Sequence, residues 1–353
     1  MINNKKDILK NCPELELTEF GDFKIRNDYV KNYEIIDFHC HIFDGLKMMF
    51  PPILGKADSS MNSSLFDNSC FPFSIDSFDI NKVYFTKWPD SLFSINGIRT
   101  KIKLQIGGFV LRKATAERLL RDMSLNNISK SVVMQINPKN TNSSLKMEEI
   151  ITSHNNLMTF GSIHPHDDNI KEKVEQYISL DIKGWKVNPH VTGVPINSKE
   201  TLDLIKILSD TKLPILSCSG LGAPEYFLNT RIFSNKKKKE LETQRISMFY
   251  DMLSLFPSTK FILAHCGLYE SDELINLMKV FPNIYTDISA QSANNIKKIN
   301  NAIGSERLLF GTDYPFFNHA FSIVSVLRAT LKEEDRCNIF SRNATRVLCI
   351  NEN

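Results

Sequence analysis

The chain has 353 residues, 42% of them hydrophobic, and its 43 basic and 40 acidic residues leave a net charge of +3. That balance offers no polyanion-binding face, so no nucleic-acid partner is expected, and Lys236 to Lys239 read as a solvated helix start. No apolar run reaches the ~18–20 residues of a membrane span. The N-terminus "MINNKKDILKNCPELEL" lacks a secretory apolar core, and seven cysteines without a framework point to reduced thiols in a cytoplasm.

Short apolar, β-branched runs then recur along the chain. Strands are expected near residues 34–39, 131–136, 158–164, 184–187, 214–218, 260–265, 283–288 and 307–312. Helical patterns lie between most of them. "AERLLRDMSLNN" precedes the second strand, "NIKEKVEQYISLD" the fourth and "SKETLDLIKILSDT" the fifth. "ISMFYDMLSLF", "SDELINLMKVF" and "ANNIKKINNAI" lead to the sixth, seventh and eighth. Near-continuous apolar strands alternating with helices imply a parallel sheet covered by helices. Eight such units favour a single (β/α)8 TIM-type barrel over an open doubly wound sheet. No GxGxxG follows the first strand, against a dinucleotide fold.

Two segments break the rhythm within this single domain, residues about 45–115 and about 221–242. Both leave the C-terminal ends of strands, the end where a barrel keeps its site. The first, bordered by Phe43, is rich in aromatic residues and reads as a lid over a partly apolar small-molecule pocket.

The first strand ends in "IIDFHCHIF". Residues two apart on a strand share a face, so His39 and His41 point together and could ligate one divalent ion. An isolated HxH is as well explained by two hydrogen-bonded pocket histidines. Other strand ends change the balance. "FILAHCG" puts His265 at the tip of the sixth strand, and "LLFGTDYPF" puts Asp313 at the tip of the eighth. Six of the eight histidines (His39, His41, His164, His166, His190 and His265) lie at or just past expected strand ends.

"IDFHCHIF", "GSIHPHDDN", "KGWKVNPHVTG", "LPILSCSG", "FILAHCG", "LLFGTDYP" and "SRNATRVL" together resemble successive landmarks of the amidohydrolase superfamily. The likeness is to the branch that holds relatives of aminocarboxymuconate semialdehyde decarboxylase and assorted hydrolases. The resemblance implies that His39 and His41 are metal ligands. It makes Asp313 a further ligand that also takes a proton from the attacking water. It makes His265 either a ligand of a second ion or the group that orients water and polarises substrate.

One position departs from that pattern: the fifth strand is expected to end in histidine and holds Cys218. The thiol is a zinc-favouring ligand, the mark of a site that works without metal, or a packing residue. The expected cofactor is one Zn2+ on His39, His41, Asp313 and Cys218. A second ion enters if Lys186 is carboxylated; otherwise Lys186 pairs with a carboxylate or binds a substrate anion. His164, His190 and Arg231 are candidate substrate-binding groups, against the plainer reading of surface-loop side chains. Asp37 is expected on the face of His39, accepting from a ligating ring or serving the lower barrel. Cys40 and Cys266 should turn outward and pack. The expected activity is hydrolysis of a small molecule by metal-activated water. Its rivals are non-oxidative decarboxylation of a small carboxylate on the same scaffold, and a binding protein without metal or catalysis. The sequence allows a homo-oligomer without specifying one.

Overall fold

A computed structural model describes residues 5–43, 94–95, 111, 113–135, 151–222, 242–329 and 332–350. An antiparallel hairpin, β1 (Leu15–Leu17) and β2 (Phe23–Ile25), precedes eight parallel strands in sequential order. These are β3 (Ile36–Cys40), β4 (Lys130–Met134), β5 (Leu157–Gly161), β6 (Gly184–Val187), β7 (Ile215–Ser217), β8 (Phe261–Leu263), β9 (Ile284–Asp287) and β10 (Leu308–Leu309). All eight expected strands are present. The hairpin was not foreseen.

The barrel closes between its first and last strands by backbone bonds. Phe38 N–H donates to Phe310 O at 2.7 Å, Asp313 N–H to His39 O at 2.7 Å and His41 N–H to Tyr314 O at 2.7 Å. Asp37 fastens the same seam. Its carboxylate accepts from His39 N–H (3.1 Å), Thr312 N–H (3.0 Å) and the Thr312 hydroxyl (2.5 Å).

Six helices form where the apolar period was read: α1 (Ala116–Leu125), α2 (Ile170–Ser179), α3 (Lys199–Asp210), α4 (Phe249–Leu255), α5 (Ser271–Val280) and α6 (Ala293–Ile303); α7 (His319–Ala329) was not foreseen. Thr115, Ser198 and Ser292 start α1, α3 and α6 by accepting from Arg118, Thr201 and Asn295 N–H, which satisfies donors that a helix start leaves open. Helix α7 is buried nearly all round because the hairpin covers its outer side. Phe23 meets Phe321 edge-on at 5.3 Å, and Arg328 grips Glu14 with two bonds of 2.8 Å. Among the described residues no helix is long and apolar enough to cross a membrane.

Two cores result. The larger lies between strands and helices, around Trp185, Phe249, Phe261 and Phe321. The smaller fills the barrel lumen with Ile36, Phe38, Val132, Met134, Phe160, Leu216, Ile262 and Leu309, plugged by Ala344, Val347 and Leu348. Most of the two inserted segments, with Arg231, lies outside the described residues.

Candidate metal centre and active site

Local geometry at β3 decides where the histidines go. The pairing of β3 on β4 shifts register between Asp37 and Cys40. Such a bulge re-aims the side chains after it. Phe38 packs in the lumen against Phe160 (ring centroids 5.6 Å), and the next residue, His39, also faces the lumen, where it meets Lys186 and Asp287. Cys40 then falls into the outer core and His41 returns to the mouth. The expectation that Asp37 shares the face of His39 is thereby corrected: it serves the seam, with His319 Nε2 at 3.5 Å on its far side. Cys40 and Cys266 do pack, fully buried against Val132 O and Asp287 O, and burial pushes both thiols up.

His39, His41 and Asp313 converge, with ligand atoms all within 4.8 Å of one another. Asp313 Oδ1 stands 3.2 Å from His41 Nε2 and 3.9 Å from His39 Nε2. The other ring nitrogens are committed. His41 Nδ1 lies 2.9 Å from Met134 O, a carbonyl that can only accept, so Nδ1 carries the proton. His39 Nδ1 donates to Asp287 Oδ2 at 3.0 Å. Both Nε2 atoms therefore turn toward the Asp313 carboxylate. This is the arrangement by which outer partners prepare imidazoles for a cation. Burial is the largest influence on His39 and lowers its pKa, helped by Lys186, so the ring stays neutral. Burial would raise Asp313, but the bond to His41 and the charge of His265 hold it below its usual range.

Lys186, 1% exposed at the end of β6, places Nζ 3.1 Å from His39 Nε2. An ammonium there donates to the lone pair that an ion on His39 would take, so the two compete for it. His265 follows β8 with a left-handed backbone (φ 60°), as does Asp313 (φ 59°). Non-glycine residues in that region are held there by their surroundings, often at functional sites. The His265 ring lies 4.8 Å from that of His39. Its Nδ1 is 2.7 Å from the Ser289 hydroxyl. Burial alone would lower His265; the bond to Cys218 and the charges of Asp313, Cys218 and Asp287 outweigh it and raise the pKa to about 9.

Cys218 is brought to the mouth but not to the two-histidine cluster. Among the described residues it is absent from both groups of converging ligand atoms, His39–His41–Asp313 and His39–His265–Asp287, and its Sγ donates to Asn188 Oδ1 at 3.1 Å. A close approach of strand ends sets it beside His265: Gly220, at φ +82°, lies where any side chain would collide with the Gly267 carbonyl. Burial would raise this thiol, but Lys186, His190 and His265 hold it well below the ordinary value. His190 Nδ1 bonds Gln244 Oε1 at 2.8 Å. His164 is buried, and its Nδ1 accepts from His166 N–H at 3.1 Å. On the apolar side, Phe43 and Phe316 stand edge-on to each other at 6.1 Å and flank His41 at 6.3 and 6.0 Å.

Asp287 and Ser289 were missed. A buried Asp at the tip of the seventh strand, in "NIYTDIS", was the available signal, since an Asp inside an apolar strand needs partners. Those partners lie in β3 and β8, and only barrel closure brings them near.

Fold and site together define a (β/α)8 barrel with a His-X-His plus Asp cluster at its C-terminal mouth. The chain belongs to the amidohydrolase family, whose model matches residues 36–350. It is 22% identical over 239 residues to 2-amino-3-carboxymuconate-6-semialdehyde decarboxylase of Caenorhabditis elegans, a match spanning 52% of this chain and 59% of that relative. Among solved structures, 5-carboxyvanillate decarboxylase from Sphingomonas paucimobilis is similar at TM-score 0.58 and 15% identity, covering 91% of this chain and 100% of that one. The same enzyme from Novosphingobium aromaticivorans, complexed with manganese and 4-hydroxy-3-methoxy-5-nitrobenzoic acid, is similar at TM-score 0.57 and 14% identity, with 93% and 98% covered. Likeness at these identities shows the fold.

Proposed function

We propose that this chain is a divalent-metal-dependent enzyme that removes CO2 from a small organic carboxylate without an oxidant. The observation that carries the reading is the convergence at the mouth of His39, His41 and Asp313, whose ligand atoms lie within 4.8 Å of one another. A shared cation satisfies all three. Two neutral imidazoles and a carboxylate suit a borderline ion such as Zn2+ or Mn2+. The thiol that would have weighed for zinc donates to Asn188 Oδ1 instead, and a manganese-bound decarboxylase has the same fold.

The ion would supply Lewis-acid charge that holds substrate oxygens and draws electron density from the bond to be broken. Lys186 and a protonated His265 add positive charge, so an anionic substrate balances the pocket. In the reaction the carbon–carbonyl-carbon bond breaks, its electron pair stays on the substrate carbon, and that carbon takes up one proton. His265 carries a proton at neutral pH and hands it on through Nε2. Phe43 and Phe316 narrow the apolar side. The relatives named decarboxylases weigh toward this reading.

Hydrolysis is the second reading. It is favoured by Asp313, which stays ionised beside the cluster and could accept a proton from water. Metal analysis of the purified protein, followed by a panel of small carboxylates, lactones and amides, separates the readings. Metal-dependent CO2 release supports the first and ring or amide opening the second. Absence of any bound or activating ion sinks both and leaves a binding protein.

A further inference from the structure

We propose that Asp287 is a positioning residue that fixes the ring nitrogens of His39 and His265 at once, with Ser289 as the arm that reaches the second ring. The proposal rests on the reading that His39 holds a divalent ion. Asp287 is fully buried at the end of β9. Its Oδ2 takes the His39 Nδ1–H at 3.0 Å. Its Oδ1 takes three donors: His265 N–H at 3.2 Å, Ser289 N–H at 3.0 Å and, closer still, the Ser289 hydroxyl.

A hydroxyl has one proton. Spent on Asp287, it leaves Ser289 Oγ able only to accept. The His265 Nδ1 at 2.7 Å must therefore be the donor. Both rings then carry the proton on Nδ1 and turn Nε2 to the lumen. For His39 that nitrogen is the ion's ligand. For His265 it is the atom that holds or releases the working proton. One carboxylate thus couples a ligand to a proton carrier. It also braces the left-handed turn at His265, whose carbonyl is pinned by Gln291 Nε2 at 2.6 Å. A carboxylate serving only the strand end would need neither ring.

The test compares wild type, Asp287→Asn and Ser289→Ala, reading imidazole 15N spectra and Zn2+ and Mn2+ affinity by equilibrium dialysis. Wild type is expected to show Nδ1–H on both rings. Asp287→Asn cannot accept from every donor and should weaken ion binding about 10–100-fold, as loss of a ligand's outer partner does. Ser289→Ala should change only the His265 signals and leave ion affinity within about twofold, because it touches no ligand. An Nε2–H ring in neutral wild-type His39 or His265, unchanged ion affinity in Asp287→Asn, or a shift of both rings in Ser289→Ala overturns the proposal. If Asp287→Asn does not fold, the wild-type spectrum and Ser289→Ala decide. If wild type binds neither ion, the metal reading fails, while the two ring spectra still judge Asp287.

Discussion

Around His41 and Asp313, at the closing seam of β3 and β10, an imidazole nitrogen and a carboxylate oxygen stand 3.2 Å apart. Across the mouth at the end of β7, Cys218 has a partner in Asn188 Oδ1 at 3.1 Å and lies beside His190 and His265. Both regions are polar and largely buried, yet Cys218 stands outside the group in which His39, His41 and Asp313 bring their ligand atoms together. Three convergent ligand atoms suit a divalent cation from outside the chain, and the thiol, already bonded to Asn188, is not among them. Position at a strand tip is thus too coarse a criterion for a ligand. What the other atom of each side chain is already bonded to decides it.

The sharpest way to break this contrast is Asp313→Asn. It removes the charge at the seam and should lower turnover by about 10³-fold or more, and ion affinity by at least about tenfold; steady-state rates and metal analysis check both. His41→Ala should empty the site of metal while the fold persists, read by metal content and circular dichroism. Cys218→Ser is the converse: ion occupancy should stay within about twofold, since a side chain outside the coordination shell adds little to it. A loss of metal in Cys218→Ser would make the thiol a ligand and erase the difference between the two regions.

The pH dependence sharpens the thiol side. The folded pKa of His265, about 9, lies above the ordinary histidine value of 6.5. Its protonation therefore stabilises the fold fully below about pH 6.5, and this contribution is lost as pH rises through about 9. Turnover that needs the His265 proton should fall over the same upper limb, and thermal melts against pH should follow it. The smallest effect is expected far from the mouth. Arg328→Ala breaks the two-bond grip on Glu14 and should cost about 1 kcal/mol, since the pair is partly exposed; a urea titration would measure it.

Much of the fold was legible because parallel strands buried on both faces read as continuous apolar runs. The HxH, the His after the sixth strand and the Asp after the eighth were legible because chemistry-bearing residues gather at strand tips. Asp37 was misplaced because alternation assumes a regular strand, and β3 has a bulge. The hairpin escaped because its two three-residue strands are too short for a periodic signal.

Residue order alone established the eight strands, the side on which the site lies and the gathering of His39, His41, His265 and Asp313 there. Those follow from local patterns of apolar spacing and from the fixed geometry of a closed barrel. Only the folded chain decided which nitrogen of each ring faces inward, that Asp287 anchors a histidine 248 positions away, and that Cys218 bonds Asn188 rather than joining the cluster. Such choices depend on hydrogen-bond partners from distant strands, and no local stretch of sequence contains them.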